Sequence, residues 1–137
     1  MYTVMTDASI YKKTKNILVI DSDRDFCKNV RLYLEQDYNV VTRQRLKYID
    51  YTIILNKIDL LIIDEGFNKP NLLDFIQEIK QKHTHLKIIV MYTYFQSDKK
   101  TEKELFQFVD DMIAKPFDVK LLRNKVNQLF VGKMALA

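Results

Sequence analysis

A chain of 137 residues with 47% hydrophobic content is long enough for one domain with a real core. Two glycines and two prolines leave little for linkers or low-complexity segments, and no apolar stretch reaches membrane-spanning length. The net charge of +4 comes from Lys and Arg spread along the chain, which predicts a solvated surface rather than a nucleic-acid interface.

Met1 to Lys15 is mixed and polar and lacks the apolar centre of a signal peptide, so a cytoplasmic location is expected. The first strand is expected over Asn16 to Asp21. Ser22 or Asp23 can cap the helix that follows, which carries Phe26, Val30, Tyr33 and Leu34 at helical spacing. The single Cys27 excludes an internal disulfide and reads as a small buried hydrophobe on that helix. A shorter strand follows over Tyr38 to Thr42, then a second helix over Arg45 to Lys57 with Leu46, Ile49 and Ile53 on one face.

The third strand is expected over Ile58 to Asp64 and the third helix over Asn71 to Lys82. Between that helix and the fourth strand, Leu86 to Met91, the string His83-Thr84-His85 reads as a surface loop, not a metal clip. A long loop follows, in which Tyr92, Tyr94 and Phe95 read as a partner-binding patch or a plug at the mouth of the site. The sequence Thr101-Glu102-Lys103-Glu104 has capping-box form and predicts a short fourth helix from that point. A fifth strand is expected over Val109 to Ala114, and Asp118 caps a last helix bearing Leu121, Leu122, Val126, Leu129 and Phe130.

Five strand–helix units in series predict an α/β fold, a doubly wound five-stranded parallel sheet of order 2-1-3-4-5 with five helices. That order brings strands one and three together at the switch point. The apolar runs before Asp21 and Asp64, and the run Met112-Ile113-Ala114 before Lys115, cannot enclose a charge without a large desolvation cost. Asp21, Asp64 and Lys115 are therefore expected at the carboxyl edge of the sheet, where such folds bind ligands. Two acids and a lysine there suit a divalent cation and a phosphoryl group.

From about Lys15 to Phe130 the chain resembles the receiver domain of bacterial two-component response regulators, which have this flavodoxin-like fold. Its anchors are Ile17-Leu18-Val19-Ile20-Asp21, Asp59-Leu60-Leu61-Ile62-Ile63-Asp64 and Lys115-Pro116-Phe117. Residues 15–131 then form the receiver domain, with 1–14 an N-terminal extension and 132–137 a C-terminal tail. The resemblance implies that Asp64 is the phosphoacceptor, a nucleophile forming an aspartyl phosphate, and that Lys115 neutralises the phosphoryl oxygens. It implies a Mg²⁺ ion held by Asp21, Asp64 and the main-chain carbonyl of Gly66, and a cis Lys115–Pro116 bond. Two candidates remain for the site hydroxyl, Thr93 and Tyr92.

The chain departs from the family at several positions. Ser22 stands where the family has a second acid; Asp23 compensates for it or simply caps the helix. Met112 replaces the switch aromatic, Asn68 a common proline, and Leu72 a common glycine. Phosphorylation would come from a histidine kinase or phosphotransfer protein. About seven residues follow Phe130, so output is expected through a protein partner or self-association on the helix 4–strand 5–helix 5 face, with no direct DNA or membrane binding. The competing reading is a pseudo-receiver, an interaction module on the same fold that is never phosphorylated. A flavin-binding carrier is disfavoured, because no Ser/Thr/Gly-rich phosphate loop follows the first strand and the acids there would repel a flavin phosphate.

Overall fold

The computed structural model describes residues 13–67, 71–93 and 99–131. Among these, β1 (Asn16–Ile20), α1 (Arg24–Leu34), β2 (Asn39–Arg43), α2 (Ile49–Leu55), β3 (Leu60–Asp64), α3 (Leu72–Lys82), β4 (Lys87–Thr93), α4 (Lys99–Phe106), β5 (Asp111–Lys115) and α5 (Val119–Val131) alternate without exception. The strands form one parallel sheet in the expected order β2-β1-β3-β4-β5. Burial follows from that order. The inner strands carry side chains closed to solvent at Ile17 to Ile20, Leu60 to Ile63 and Ile88 to Met91, whereas β2 and β5, at the edges, are only partly covered. The chain divides into two compact units, residues 1–61 and 62–137.

In the first unit, β1 and β2 pair in parallel from Asn16↔Asn39 to Ile20↔Arg43. The Asp23 carboxylate accepts a hydrogen bond from the Phe26 amide at 3.1 Å and caps α1, which buries Cys27, Val30 and Leu34. The second helix is shorter than its apolar pattern predicts. Tyr48 sits at φ 60 with no side-chain cap, so the helical path cannot begin at Arg45. At the other end Lys57 takes φ 51. Its amide donates to the Ile54 carbonyl, and the Ile58 amide donates to the Ile53 carbonyl, a Schellman closure that stops the helix at Leu55. α2 buries Ile49, Thr52 and Ile53 and leaves Tyr48, Tyr51, Ile54 and Leu55 exposed.

In the second unit, α3 buries Leu72, Ile76 and Ile79. His83 at its end is buried, its amide donating to the Ile79 carbonyl and its carbonyl accepting from Leu86, so the expected surface loop has a buried first histidine. His85 is exposed. β4 runs two residues beyond Met91, to Thr93, because it continues to pair with β5 as far as Thr93↔Lys115. β5 begins later than predicted: the Asp110 carboxylate accepts from the Ile88 amide at 2.7 Å and pairs with Lys80 at 3.0 Å, and the ladder starts after that anchor. α4 starts at Lys99, two residues before the expected capping box. Asp118 Oδ1 accepts from the Lys120 amide at the head of α5, which buries Leu122 and Val126. The expected positions Asn68, Tyr94 and Phe95 lie outside the described residues.

Candidate functional site

Asp64 is the last residue of β3 and Lys115 the last of β5, so each leaves its strand where the apolar run ends. The Lys115 ammonium lies 2.9 Å from Asp64 Oδ1, with the two side chains 23% and 21% exposed. The other carboxylate oxygen, Oδ2, accepts a hydrogen bond from the Gly66 amide at 2.9 Å. A Cβ on Gly66 would meet Oδ2 at 2.7 Å, closer than real Cβ atoms approach, so any side chain at position 66 would displace the carboxylate. Both oxygens of Asp64 are thus held, one by a cation and one by a main-chain dipole, in a partly open position. The Lys115–Pro116 bond is cis, as the resemblance implied.

The sheet register separates the two hydroxyl candidates. Thr93 pairs with Lys115 and Tyr92 with Ala114, and residues opposite one another on neighbouring strands share a face. Thr93 therefore lies on the face of Lys115. Tyr92 lies on the other, where it lines a cavity of about 320 Å³ with Met112, Lys99, Glu102, Lys103 and Phe106. Met112 is buried there, 7% exposed.

One residue of this region was not singled out in the sequence. Glu65 is buried, its amide donates to the Met91 carbonyl at 2.8 Å, and its Oε1 accepts from the Thr93 amide at 3.2 Å. A carboxylate thus ties the turn after Asp64 to the end of β4. Its only signal in the sequence was a second acid directly after a strand-terminal one.

In the first unit, Asp21 follows β1 and is 3% exposed. Its Oδ1 accepts from the Asp23 amide at 2.9 Å, and its carbonyl accepts from Cys27 Sγ at 3.4 Å. Ser22 is exposed, and the Asp23 side chain caps α1. Burial pushes the Cys27 thiol above its ordinary value, partly offset by a hydrogen bond with the Gln44 side chain. Among the described residues no three His, Cys, Asp or Glu side chains form a cluster able to hold a metal ion.

The model of the response regulator receiver domain matches residues 17–127, a span that contains Asp21, Asp64 and Lys115. The chain belongs to the receiver domain family. Receiver domains are phosphoacceptor signalling modules rather than enzymes, bind Mg²⁺ at an acidic phosphorylation site and interact with histidine kinases. Among curated relatives, the transcriptional regulatory protein KdpE of Staphylococcus aureus is 31% identical over 115 residues, which are 80% of this chain and 47% of that protein. The response regulator SaeR of the same species is 24% identical over 83% of this chain and 50% of its own length. The chain therefore spans about half the length of the curated relatives it matches.

Solved receivers superpose closely. A response regulator from Thermotoga maritima gives a TM-score of 0.75 at 25% identity, covering 86% of this chain and 98% of that one. An orphan response regulator of H. pylori gives 0.74 at 21% identity, covering 85% and 96%. No helix among the described residues is long and apolar enough to cross a membrane.

Proposed function

We propose that this receiver accepts a phosphoryl group on Asp64 in two-component signal transduction and relays the change through a protein partner. The observation that carries the reading is the 2.9 Å approach of the Lys115 ammonium to Asp64 Oδ1 at the strand edge. One carboxylate oxygen attacks the phosphorus of an acyl phosphate or phosphohistidine, the donor's P–O or P–N bond breaks, and the leaving group departs with its electron pair. Lys115 then turns its ammonium from the carboxylate to the phosphoryl oxygens and offsets their charge. Thr93, in register with Lys115, supplies the hydroxyl.

Mg²⁺, when bound, neutralises negative charge between the carboxylates and the incoming phosphate. With no side chain at position 66, Oδ2 of Asp64 keeps its place and stays open to the ion. Asp64 and the Gly66 carbonyl hold it in this reading. Asp21 is the further carboxylate, an assignment that rests on family membership, and Ser22 or Asp23 stands in the place of the family's second acid. The phosphoryl donor is a histidine kinase or phosphotransfer protein in the cytoplasm. The output face is α4–β5–α5, with Met112 as the switch side chain; it serves a protein partner or a second copy and not DNA.

Incubation with Mg²⁺ and acetyl phosphate should give acid-labile phosphate in the native chain and none in Asp64→Asn. Equal labelling of the two proteins removes the assignment.

Ser22 and the absence of a three-acid cluster among the described residues favour a second reading, a pseudo-receiver that binds partners without phosphorylation. A millimolar Mg²⁺ titration separates the two: saturable shifts of the Asp64 and Gly66 amides support the phosphoacceptor, and a flat response supports the pseudo-receiver.

A further inference from the structure

The first unit contains a cavity of about 270 Å³ lined by Arg24, Lys28, Arg31, Thr42 and Gln44. Arg24, Lys28 and Arg31 stand at i, i+4 and i+7 on α1, so the three cations share one face of the helix. Thr42 lies in β2 and Gln44 follows it, and both line the cavity, the Gln44 side chain also hydrogen-bonding with Cys27.

Like charges one turn apart on a helix repel, and a solvated helix face commonly offsets them with acids at the same spacing. Among the described residues only Arg31 has such a partner: its Nε lies 3.4 Å from Glu35 Oε1, on the side away from Lys28 in sequence. That Nε is buried and its contact with Glu35 falls short of hydrogen-bond geometry. Among the same residues no carboxylate pairs with Arg24 or Lys28. Three cations against one acid leave the cavity short of negative charge. Every lining side chain can donate a hydrogen bond.

We propose that this cavity binds a small phosphate-bearing anion. Guanidinium groups match phosphate oxygens in pairs, an ammonium adds a point charge, and a hydroxyl and an amide complete the donor set. The volume lies below the roughly 300–1,000 Å³ of pockets that take drug-sized ligands, so the occupant is of the size of inorganic phosphate, pyrophosphate or a compact phosphomonoester. The site uses none of the residues assigned to phosphoryl transfer and stands whether or not Asp64 is phosphorylated.

The test is a titration of the isotope-labelled chain with sodium pyrophosphate, followed by backbone amide shifts, against sodium chloride at matched ionic strength. Glucose 6-phosphate and inorganic phosphate form two further arms; tighter binding of the monoester assigns the natural occupant to phosphomonoesters, and equal binding assigns it to the free ion. Saturable shifts at Thr42, Gln44 and Lys28 are expected with pyrophosphate and not with chloride. Arg24→Gln and Lys28→Gln should each weaken binding by about tenfold, one charge-assisted contact being lost each time. Lys82→Gln, which removes a cation paired with Glu78, should leave it unchanged. Both cavity residues are exposed, so the variants should keep the native spectrum. Shifts that rise linearly, that chloride reproduces, or that the two cavity variants leave intact overturn the proposal.

Discussion

The main-chain amide of Thr93 donates to the carboxylate of Glu65, 28 residues earlier and buried, at 3.2 Å. Through this bond and the Glu65 amide on Met91, the turn that follows Asp64 fixes the end of β4. That end is where β4 lies in register with Lys115. The geometry around Asp64 and Lys115 therefore depends on a side chain that is neither of them.

Glu65→Ala leaves the part-buried Thr93 amide without its carboxylate acceptor, and because water can reach that amide in part the loss should be about 1 kcal/mol, the low end for an unmade bond. Glu65→Gln keeps an amide oxygen in the same place and should lose clearly less. Urea unfolding of the two variants checks the order; equal losses would show that burial of the chain, not the bond, is what matters.

Gly66→Ala tests the close approach at Asp64. The new Cβ would sit 2.7 Å from Oδ2 and must push the carboxylate away from its present position. Misplacement of a nucleophile by about 1 Å can cost roughly 100-fold, so labelling by acetyl phosphate should fall by an amount of that order. The melting curve should change little, because Gly66 is exposed and its amide bonds only locally.

Lys115→Ala removes the ammonium that lies 2.9 Å from Asp64 Oδ1. Loss of a preorganised partner for developing charge typically costs 100-fold or more, and the rate of Asp64 phosphorylation should drop by roughly that factor. Single-turnover labelling measures it directly. A rate within about twofold of native would show that the ion pair is structural only.

Cys27 should be inert in the folded chain. Its side chain is 1% exposed, and burial raises its pKa above the ordinary 9.0. The unfolded chain then loses this proton first. The stabilising contribution is complete below about 9.0 and disappears as the pH rises through the higher folded value. Thiol labelling should be slow at neutral pH and become fast on adding denaturant, and stability should decline on the alkaline side less steeply in Cys27→Ala than in the native chain.

The fold was largely legible because its strands are nearly continuous apolar runs: Ile17 to Ile20 and Leu60 to Ile63 are closed to solvent throughout. The same runs marked the ends at Asp64 and Lys115, and so half of the site. What escaped depends on conformation or on distant partners. The second helix looked longer because its apolar spacing begins at Leu46, before the left-handed residue Tyr48, and nothing in it marks the left-handed turn at Lys57. Glu65 was invisible because its acceptor role concerns an amide far along the chain. That Thr93 and Tyr92 fall on opposite faces, Thr93 on that of Lys115, needed the register of β4 against β5, which neither strand contains by itself. Departures such as Ser22 were visible at once, but their chemical consequence was not.

The most direct test of the central claim is intact-mass measurement after incubation with Mg²⁺ and acetyl phosphate, with Asp64→Asn treated in parallel. The account predicts one added phosphoryl group on the native chain, lost on acid or hydroxylamine treatment, and no addition to the variant. An unmodified native chain, or an equal addition to Asp64→Asn, would contradict it.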